Sequence, residues 1–486
     1  MSPLDEFRKS LAGPDLVRRI QAGLIGDGIT IDGPFGPRPL LYADYVASGR
    51  ALAQVEDFIR DRVLPYYANS HTQASYCGAF TTRLRESARA EIARLTGAGE
   101  GTSVVFTGSG STAGINRIAG LLDIGGITAR GGRAVLIVGP YEHHSNLLPW
   151  RESGAEVIEI SEASSGGPDM DELTAALEAA QGADLLAGSF SAASNVTGIV
   201  TDVDAVTRLL KSYGALALWD YGCAAPYTQM DMCAGTDAAK DAIVFSPHKF
   251  PGGPGASGVM ILRDAIARQF RPTLPGGGTV SFVSPWGHAY SSRLSDREEG
   301  GTPNVVGDIR VALALMVKEA LGQDWLDERQ AELRARAVAC WSQNPRIEIL
   351  GQPDATALPI FSFRVRDGAD GYVHHQFFTR LLSDLYGVQA RGGCACAGPY
   401  AHRLLGLDQA RSDTMQAAIA RGEELEKPGW VRLNLSALLS DDKADAIISA
   451  VDKLALDAPD YADQYRADPR TARFTPDNSV KETLAS

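Results

Sequence analysis

Short apolar runs at 104–107, 134–138, 156–160, 184–189, 215–219, 243–246 and 258–262 punctuate the middle of the chain. Runs of this length, apolar without strict alternation, suit strands buried on both faces. Stretches with helical spacing lie between them, among them 170–179 and 202–213. Strands and helices taken in turn predict βαβ units, and so an α/β fold with a mostly parallel central sheet flanked by helices. A helical pattern over 4–24 and a Gly/Pro-rich connection at 33–39 precede this region. After about 307 the pattern changes. A long helical stretch runs through 340, strands are predicted at 346–350, 360–365 and 431–435, and helices at 372–386 and 443–456. The expected organisation is an N-terminal helix and connection over 1–40, a large domain over 41–306 and a smaller α+β domain over 307–460. A polar stretch over 461–486, without clear periodicity, reads as a loosely held tail.

Composition narrows the function classes. The 486 residues are 44% hydrophobic and 22% charged, which is ordinary for a globular protein with a normal core. A net charge of −13 argues against a nucleic-acid binder, which needs a basic face. No apolar run approaches the roughly 20 residues that span a bilayer, so no membrane partner is expected. The first 23 residues carry Asp5, Glu6, Arg8, Lys9, Arg18 and Arg19 and lack the apolar core of a secretion signal. Six cysteines scattered through so long a chain do not make a disulfide framework, and a reduced, cytoplasmic protein is expected.

Chemistry concentrates at a few places. Ser246-Pro247-His248-Lys249 follows the strand at 243–246 and precedes the glycine-rich 251–258. A lysine at the C-terminal edge of a parallel sheet lies where such sheets bind ligands, and burial there suits a Schiff-base amine. The alternative is a surface lysine in a turn. Asp220 ends another apolar strand, where a carboxylate either pairs with a protonated pyridinium nitrogen or caps a helix. Thr107-Gly108-Ser109-Gly110-Ser111-Thr112 joins a strand to a helix start, an arrangement that binds phosphate or forms an ordinary βα turn. In Glu142-His143-His144 an imidazole face can stack on a planar ring, although paired core or surface histidines are commoner. Arg391-Gly392-Gly393-Cys394-Ala395-Cys396 places two thiols in a glycine-rich loop beside a cation, which suits a mobile nucleophile. A metal pair completed by His402 is the alternative, but no second Cys/His pair has ligand spacing, so no metal is expected.

These motifs, in this order, resemble the class V aminotransferase group of fold-type I pyridoxal 5′-phosphate (PLP) enzymes, specifically cysteine desulfurases and selenocysteine lyases. The resemblance runs from about 41 to 456 and includes Asn69-Ser70-His71, Ser194-Asn195, Gly276-Gly277-Gly278 and Gly301-Thr302-Pro303-Asn304. It implies that Lys249 carries PLP, that Asp220 pairs with the ring nitrogen and that His143 stacks on the ring. It further implies that Asn195 touches the substrate or the phenolic oxygen, and that Ser111, Thr112, Ser246 and His248 hold the phosphate. Thr302 is implied to reach the cofactor of a second subunit, giving a homodimer with shared active sites. Arg432 is implied to clamp the substrate carboxylate, with Arg391 and His71 nearby, and Cys396 to be the sulfur nucleophile. The Cys394-x-Cys396 spacing, Gly276 to Thr279 and Leu405-Gly406 also resemble the N-terminal domain of molybdenum cofactor sulfurases. Without room for the further C-terminal domain of those enzymes, at most a relative of their desulfurase part is expected.

Two departures bear on the substrate. Cys223 stands where the family pattern has a cofactor-facing glutamine, and a thiol is a weak donor. The segment 413–429 is long for a compact desulfurase. The expected activity is desulfuration of L-cysteine or a related amino acid through a Cys396 persulfide, with delivery to a sulfur-acceptor protein. Alternatives are a class V C–S lyase, epimerase or aminotransferase without a thiol nucleophile, and a non-enzymatic sulfur carrier or metal-binding protein.

Overall fold

The helical pattern near the N-terminus resolves into two helices, α1 (Pro3–Leu11) and α2 (Leu16–Ala22), where one was predicted. Gly13 at φ +101° and Pro14 break it, because proline disfavours helical backbone in the residue before it. A computed structural model describes residues 2–70, 72–368, 371–394 and 396–477. The chain parts into two compact units that do not follow a single cut in sequence. The first holds 1–23, 48–194 and 200–324, and the second 24–47, 195–199 and 325–486.

The first unit is built on seven strands: β1 (Thr102–Gly108), β2 (Ala134–Val138), β3 (Glu156–Glu159), β4 (Leu185–Ser191), β5 (Leu216–Asp220), β6 (Ala242–Phe245) and β7 (Gly258–Arg263). Their order across the sheet is β1-β7-β6-β5-β4-β2-β3. All pairs are parallel except those of β7, which runs antiparallel to both neighbours. Every residue of β2 is buried, as a strand covered on both faces requires, whereas β3 at the edge is partly exposed. The predicted strands therefore all form, within one or two residues. One apolar cluster joins Val105, Leu136, Ala187, Leu218, Val244 and Met260 to α3 (Gly110–Leu121) through Ile115 and Ile118.

A buried ion network fixes β1. Arg89 bonds Glu299 at 2.6 Å and the Val104 carbonyl at 2.7 Å, Arg85 bonds Asp308 at 2.7 Å, and Glu299 accepts the Phe106 N–H at 2.8 Å. Removing one partner of such a network strands a buried charge, at a cost of about 3–5 kcal/mol. Two antiparallel strands, β8 (Val280–Ser284) and β9 (Gly287–Tyr290), form a hairpin that leaves Phe282, Val283 and Trp286 exposed, the last by 92%. The long helical stretch predicted through 340 is two helices, α4 (Val305–Leu321) and α5 (Gln323–Trp341), parted by Gly322 at φ +83°.

The second unit contains a four-strand antiparallel path of β10 (Ile347–Ile349), β11 (Ile360–Asp367), β12 (Arg391–Gly393) and β13 (Trp430–Asn434), in the order β10-β11-β13-β12. Helices α6 (His375–Tyr386), α7 (Gly398–Leu405) and α8 (Asp441–Asp457) accompany it. Leu41 and Ala43 join its core with Trp341, Phe361, Phe363, Phe378 and Val451. The stretch after 461, expected to be loosely held, is anchored through 477. Tyr465–Asp468 pairs with Arg473–Pro476, and the buried Tyr465 hydroxyl donates to Asp384 at 2.7 Å. The ordering comes from this one tyrosine and from Phe474 against Phe377, contacts too sparse to leave a periodicity in sequence.

Candidate active site

The sheet of the first unit brings one group of residues together at the C-terminal ends of its strands. Asp220 closes β5, Ser246 and Lys249 follow β6, and the 107–112 turn follows β1. Neighbouring β5 and β6 are in register, with Asp220 opposite Val244, so the two strand ends lie side by side. Lys249 sits in a single 3-10 turn, Pro247–Lys249, and lies near enough to Asp220 and His248 to shift both electrostatically. Asp220 is buried and accepts the Gly222 N–H at 2.7 Å. Burial pushes its carboxyl upward, opposed by the Gly222 N–H, the Lys249 charge and the Ser111 hydroxyl. Burial also lowers His248, and the Lys249 cation adds to this.

The phosphate-type turn is tied to the lysine turn. The Ser111 N–H donates to Ser246 Oγ at 3.0 Å, and the two hydroxyls lie 3.1 Å apart. Gly110 has φ +59°, and a Cβ there would come within 2.6 Å of Ser246 Oγ and 3.4 Å of the His248 ring. Only glycine fits that approach. The Thr112 hydroxyl lies 2.7 Å from that of Ser145, whose Oγ lies 3.0 Å from His143 Nδ1. The Ser145 N–H also donates to Nδ1, at 3.1 Å. A backbone N–H can only donate, so Nδ1 accepts and the neutral ring carries its proton on Nε2.

The residue before His143 is a buried acid. Glu142 accepts from the Ser191 N–H at 2.9 Å and the Ser191 hydroxyl at 2.7 Å, and from Asn146. Asn146 in turn accepts from Trp150 at 3.0 Å and Ser189 at 2.6 Å. Burial raises Glu142 to about 7, with Asp220 contributing as a like charge. Cys223 is buried after β5, its Sγ donating to the Ser194 carbonyl at 3.7 Å. Thr302 is exposed beside Gly301.

A second group forms in the second unit. Arg391 and Arg432 are direct cross-strand partners of β12 and β13, a like-charge pairing that the single carboxylate of Asp44 offsets in part. Asp44 lies 3.2 Å from Arg432 and 3.0 Å from Arg391. Arg432 also donates to the Asn195 carbonyl at 3.2 Å, while its buried Nε finds no acceptor among the described residues. The two cysteines diverge sharply. Cys394 donates to the Pro428 carbonyl at 2.8 Å, and burial pushes its thiol up. Cys396 is exposed, on a left-handed backbone at φ +56° just before α7. Both ring nitrogens of His402 are engaged, with the Gly398 carbonyl at 2.8 Å and the Ser412 hydroxyl at 3.0 Å. Among the described residues no group of three or more His, Cys, Asp or Glu suits a metal. His71 lies outside the described residues.

Sequence reasoning passed over Ser145, Asp44 and the buried state of Glu142 as site features. Ser145, two residues after His143, was findable from the local run. Asp44 lies so far from Arg391 and Arg432 in sequence that only the fold reveals the trio.

Residues 41–423 match the sequence profile of the family described as Aminotransferase class-V. The chain belongs to the class-V aminotransferase family. It is accordingly a PLP-dependent enzyme with the fold-type I architecture. This class-V enzyme is 30% identical over 366 residues to a probable cysteine desulfurase of Vibrio cholerae, covering 74% of this chain and 85% of that one. It is 28% identical over 370 residues to a cysteine desulfurase of Serratia proteamaculans, with coverage of 74% and 85%. Its fold matches the apo structure of a cysteine desulfurase from Thermococcus onnurineus with a TM-score of 0.70 at 23% identity, over 86% of this chain and 95% of the other. The Escherichia coli desulfurase CsdA matches with a TM-score of 0.68 at 24% identity, over 91% and 98%.

The first-unit residues fit PLP. A cradle of glycine, serine hydroxyls and an imidazole, too tight for a Cβ at Gly110, matches a phosphate. A buried carboxylate whose ionisation burial opposes is stabilised by a cation brought to it, and a protonated ring nitrogen is such a cation. No helix among the described residues is long and apolar enough to cross a membrane.

Proposed function

We propose that this class-V enzyme takes sulfur from L-cysteine or a related thiol amino acid and holds it as a persulfide on Cys396. The contrast between the two loop thiols carries the reading: Cys396 is exposed, while Cys394 is tucked against the Pro428 carbonyl. Bound PLP supplies an aldehyde that condenses with amines and a ring that takes up the electron pair left at Cα. The chain's residues do the rest. Lys249 Nζ anchors the cofactor and moves the proton at Cα. Asp220 would hold a proton on the ring nitrogen, and His143, with its proton on Nε2 and backed by Ser145, would supply an imidazole face to the ring. Ser111, Thr112, Ser246 and His248 hold the phosphate, and Cys223 and Asn195 contribute to the cofactor surroundings, Asn195 also to the substrate's.

The substrate carboxylate is received by Arg432, whose Nε has a donor to give. Arg391 lends charge and, by the family resemblance, His71 a further contact. Cys396 sulfur attacks the substrate sulfur as its bond to carbon breaks, so cysteine plus thiol becomes alanine plus persulfide with no outside oxidant or reductant. An acceptor protein then removes the sulfur. A homodimer with shared sites is part of the proposal, supported by exposed Thr302 and by the apolar hairpin carrying Trp286. Six cysteines that form no disulfide among the described residues support a reducing, cytoplasmic setting.

The test is mass spectrometry of the holoenzyme after incubation with cysteine. An added sulfur on Cys396, alanine in the medium and loss of both in Cys396→Ala are expected. Turnover of cysteine S-conjugates unchanged in Cys396→Ala, with no added sulfur on the wild type, would return the enzyme to class-V lyase, epimerase or aminotransferase chemistry.

A further inference from the structure

Apart from the residues assigned above, the loop joining β5 to β6 folds a thiol onto a buried amine. The Lys240 side chain is only 2% exposed. Its Nζ donates to Asp204 at 3.0 Å and to the Ala238 carbonyl at 3.4 Å, and it reaches Cys233 Sγ at 3.2 Å. Both residues are pinned by their backbones. Cys233 has a left-handed φ of +49°, its N–H donates to Asp231 at 2.7 Å, and its carbonyl accepts from the Thr236 hydroxyl at 2.8 Å. The Lys240 N–H bonds the Met232 carbonyl at 2.9 Å. Nitrogen and sulfur are thus held together across a fixed turn. Cys233 is half-buried, so solvent reaches part of the residue.

A buried amine beside a half-open sulfur has one evident reaction. Oxidised cysteine condenses with a nitrogen held next to it. We propose that Cys233 and Lys240 are a peroxide-sensitive pair that closes into a covalent sulfur–nitrogen bridge. A hydroperoxide first oxidises the Cys233 thiol to a sulfenic acid. Its O–O bond breaks, one oxygen stays on sulfur and the other leaves as water or an alcohol. The Lys240 nitrogen then attacks sulfur, an S–N bond forms and the S–O bond breaks. The hydroxyl takes one ammonium proton and leaves as water, and a second proton passes to Asp204 and solvent. The peroxide is the only oxidant, and the condensation is redox-neutral. Added thiol reverses the bridge by attacking sulfur and releasing the amine. The proposal is independent of the sulfur-transfer reading, since none of these residues takes part in it.

The experiment treats the holoenzyme with hydrogen peroxide, denatures it, and maps the peptide covering 231–241. The expected result is a peptide lighter by two hydrogens, with Lys240 no longer acylated by an amine reagent and with both changes undone by thiol. In Lys240→Arg the bridge is lost, and sulfenic acid trapped on Cys233 by dimedone rises several-fold over wild type. Two results would overturn the proposal. One is wild-type Cys233 resting as sulfenic or sulfinic acid with Lys240 free. The other is unmodified Cys233 at a peroxide dose that oxidises Cys396.

Discussion

The turn that carries Lys249 and the loop that carries Cys396 are built on opposite terms. Around Lys249, Asp220, Ser111 and Ser246 are buried, the Ser111 N–H ties the 107–112 run to Ser246 after β6, and the Gly222 N–H holds the Asp220 carboxylate. Around Cys396 the backbone is left-handed and the residue is exposed, while Cys394 is held on the Pro428 carbonyl. The difference teaches how one enzyme meets two demands. Holding a cofactor calls for preorganised groups that do not reorganise during reaction. Carrying a sulfur atom away, as we propose for Cys396, calls for a group that can leave its surroundings.

The comparison breaks most visibly at the lysine. Lys249→Ala is expected to lower turnover by about 10³-fold, within the range for a group that moves a proton in the reaction. Absorbance spectra with added PLP should then lack the lysine-bound band. Retained spectral change and turnover would place the anchor elsewhere. At the loop, Cys396→Ala should cost about 10²-fold in sulfide release, the lower end of that range. Cys394→Ala, measured alongside, should leave turnover close to wild type. Equal losses would erase the distinction between the two thiols.

Arg432→Lys keeps the charge and loses the planar fork. Hydrogen bonds to charged groups contribute about 1.5–3 kcal/mol, so KM for cysteine should rise by about 10- to 100-fold with a smaller change in kcat. The last expectation is read in stability and not in turnover, at the buried acid Glu142. Glu142 is raised to about 7 by burial, whereas an exposed glutamate titrates near about 4.3. Between those values the folded protein keeps a proton that the unfolded chain releases. Stability from this group is therefore full below the unfolded value and is lost as pH rises through about 7, on the order of 4 kcal/mol over the whole span. Thermal melts from pH 5 to 8 should show that decline in wild type and a flatter profile in Glu142→Gln.

Much of this was legible in the residues. The seven strands announced themselves because parallel strands are apolar throughout, and Asp220 and Lys249 were marked by standing at strand ends. Three things were not legible. The breaks at Gly13–Pro14 and Gly322 fall inside patterns whose periodicity carries across them. The ordering of 465–476 rests on a few aromatic contacts. Asp44 reaches its arginines through β-pairing of Leu41–Tyr42 with Val388–Gln389, a pairing that no local spacing encodes.

That pairing has a consequence for how the polypeptide is made. Leu41 and Ala43 leave the ribosome well before Trp341, Phe361 and Val388, yet these residues share one core. An apolar stretch must therefore wait unsheltered while most of the chain is translated, and a stalled or shortened product would leave it exposed to chaperones and to aggregation.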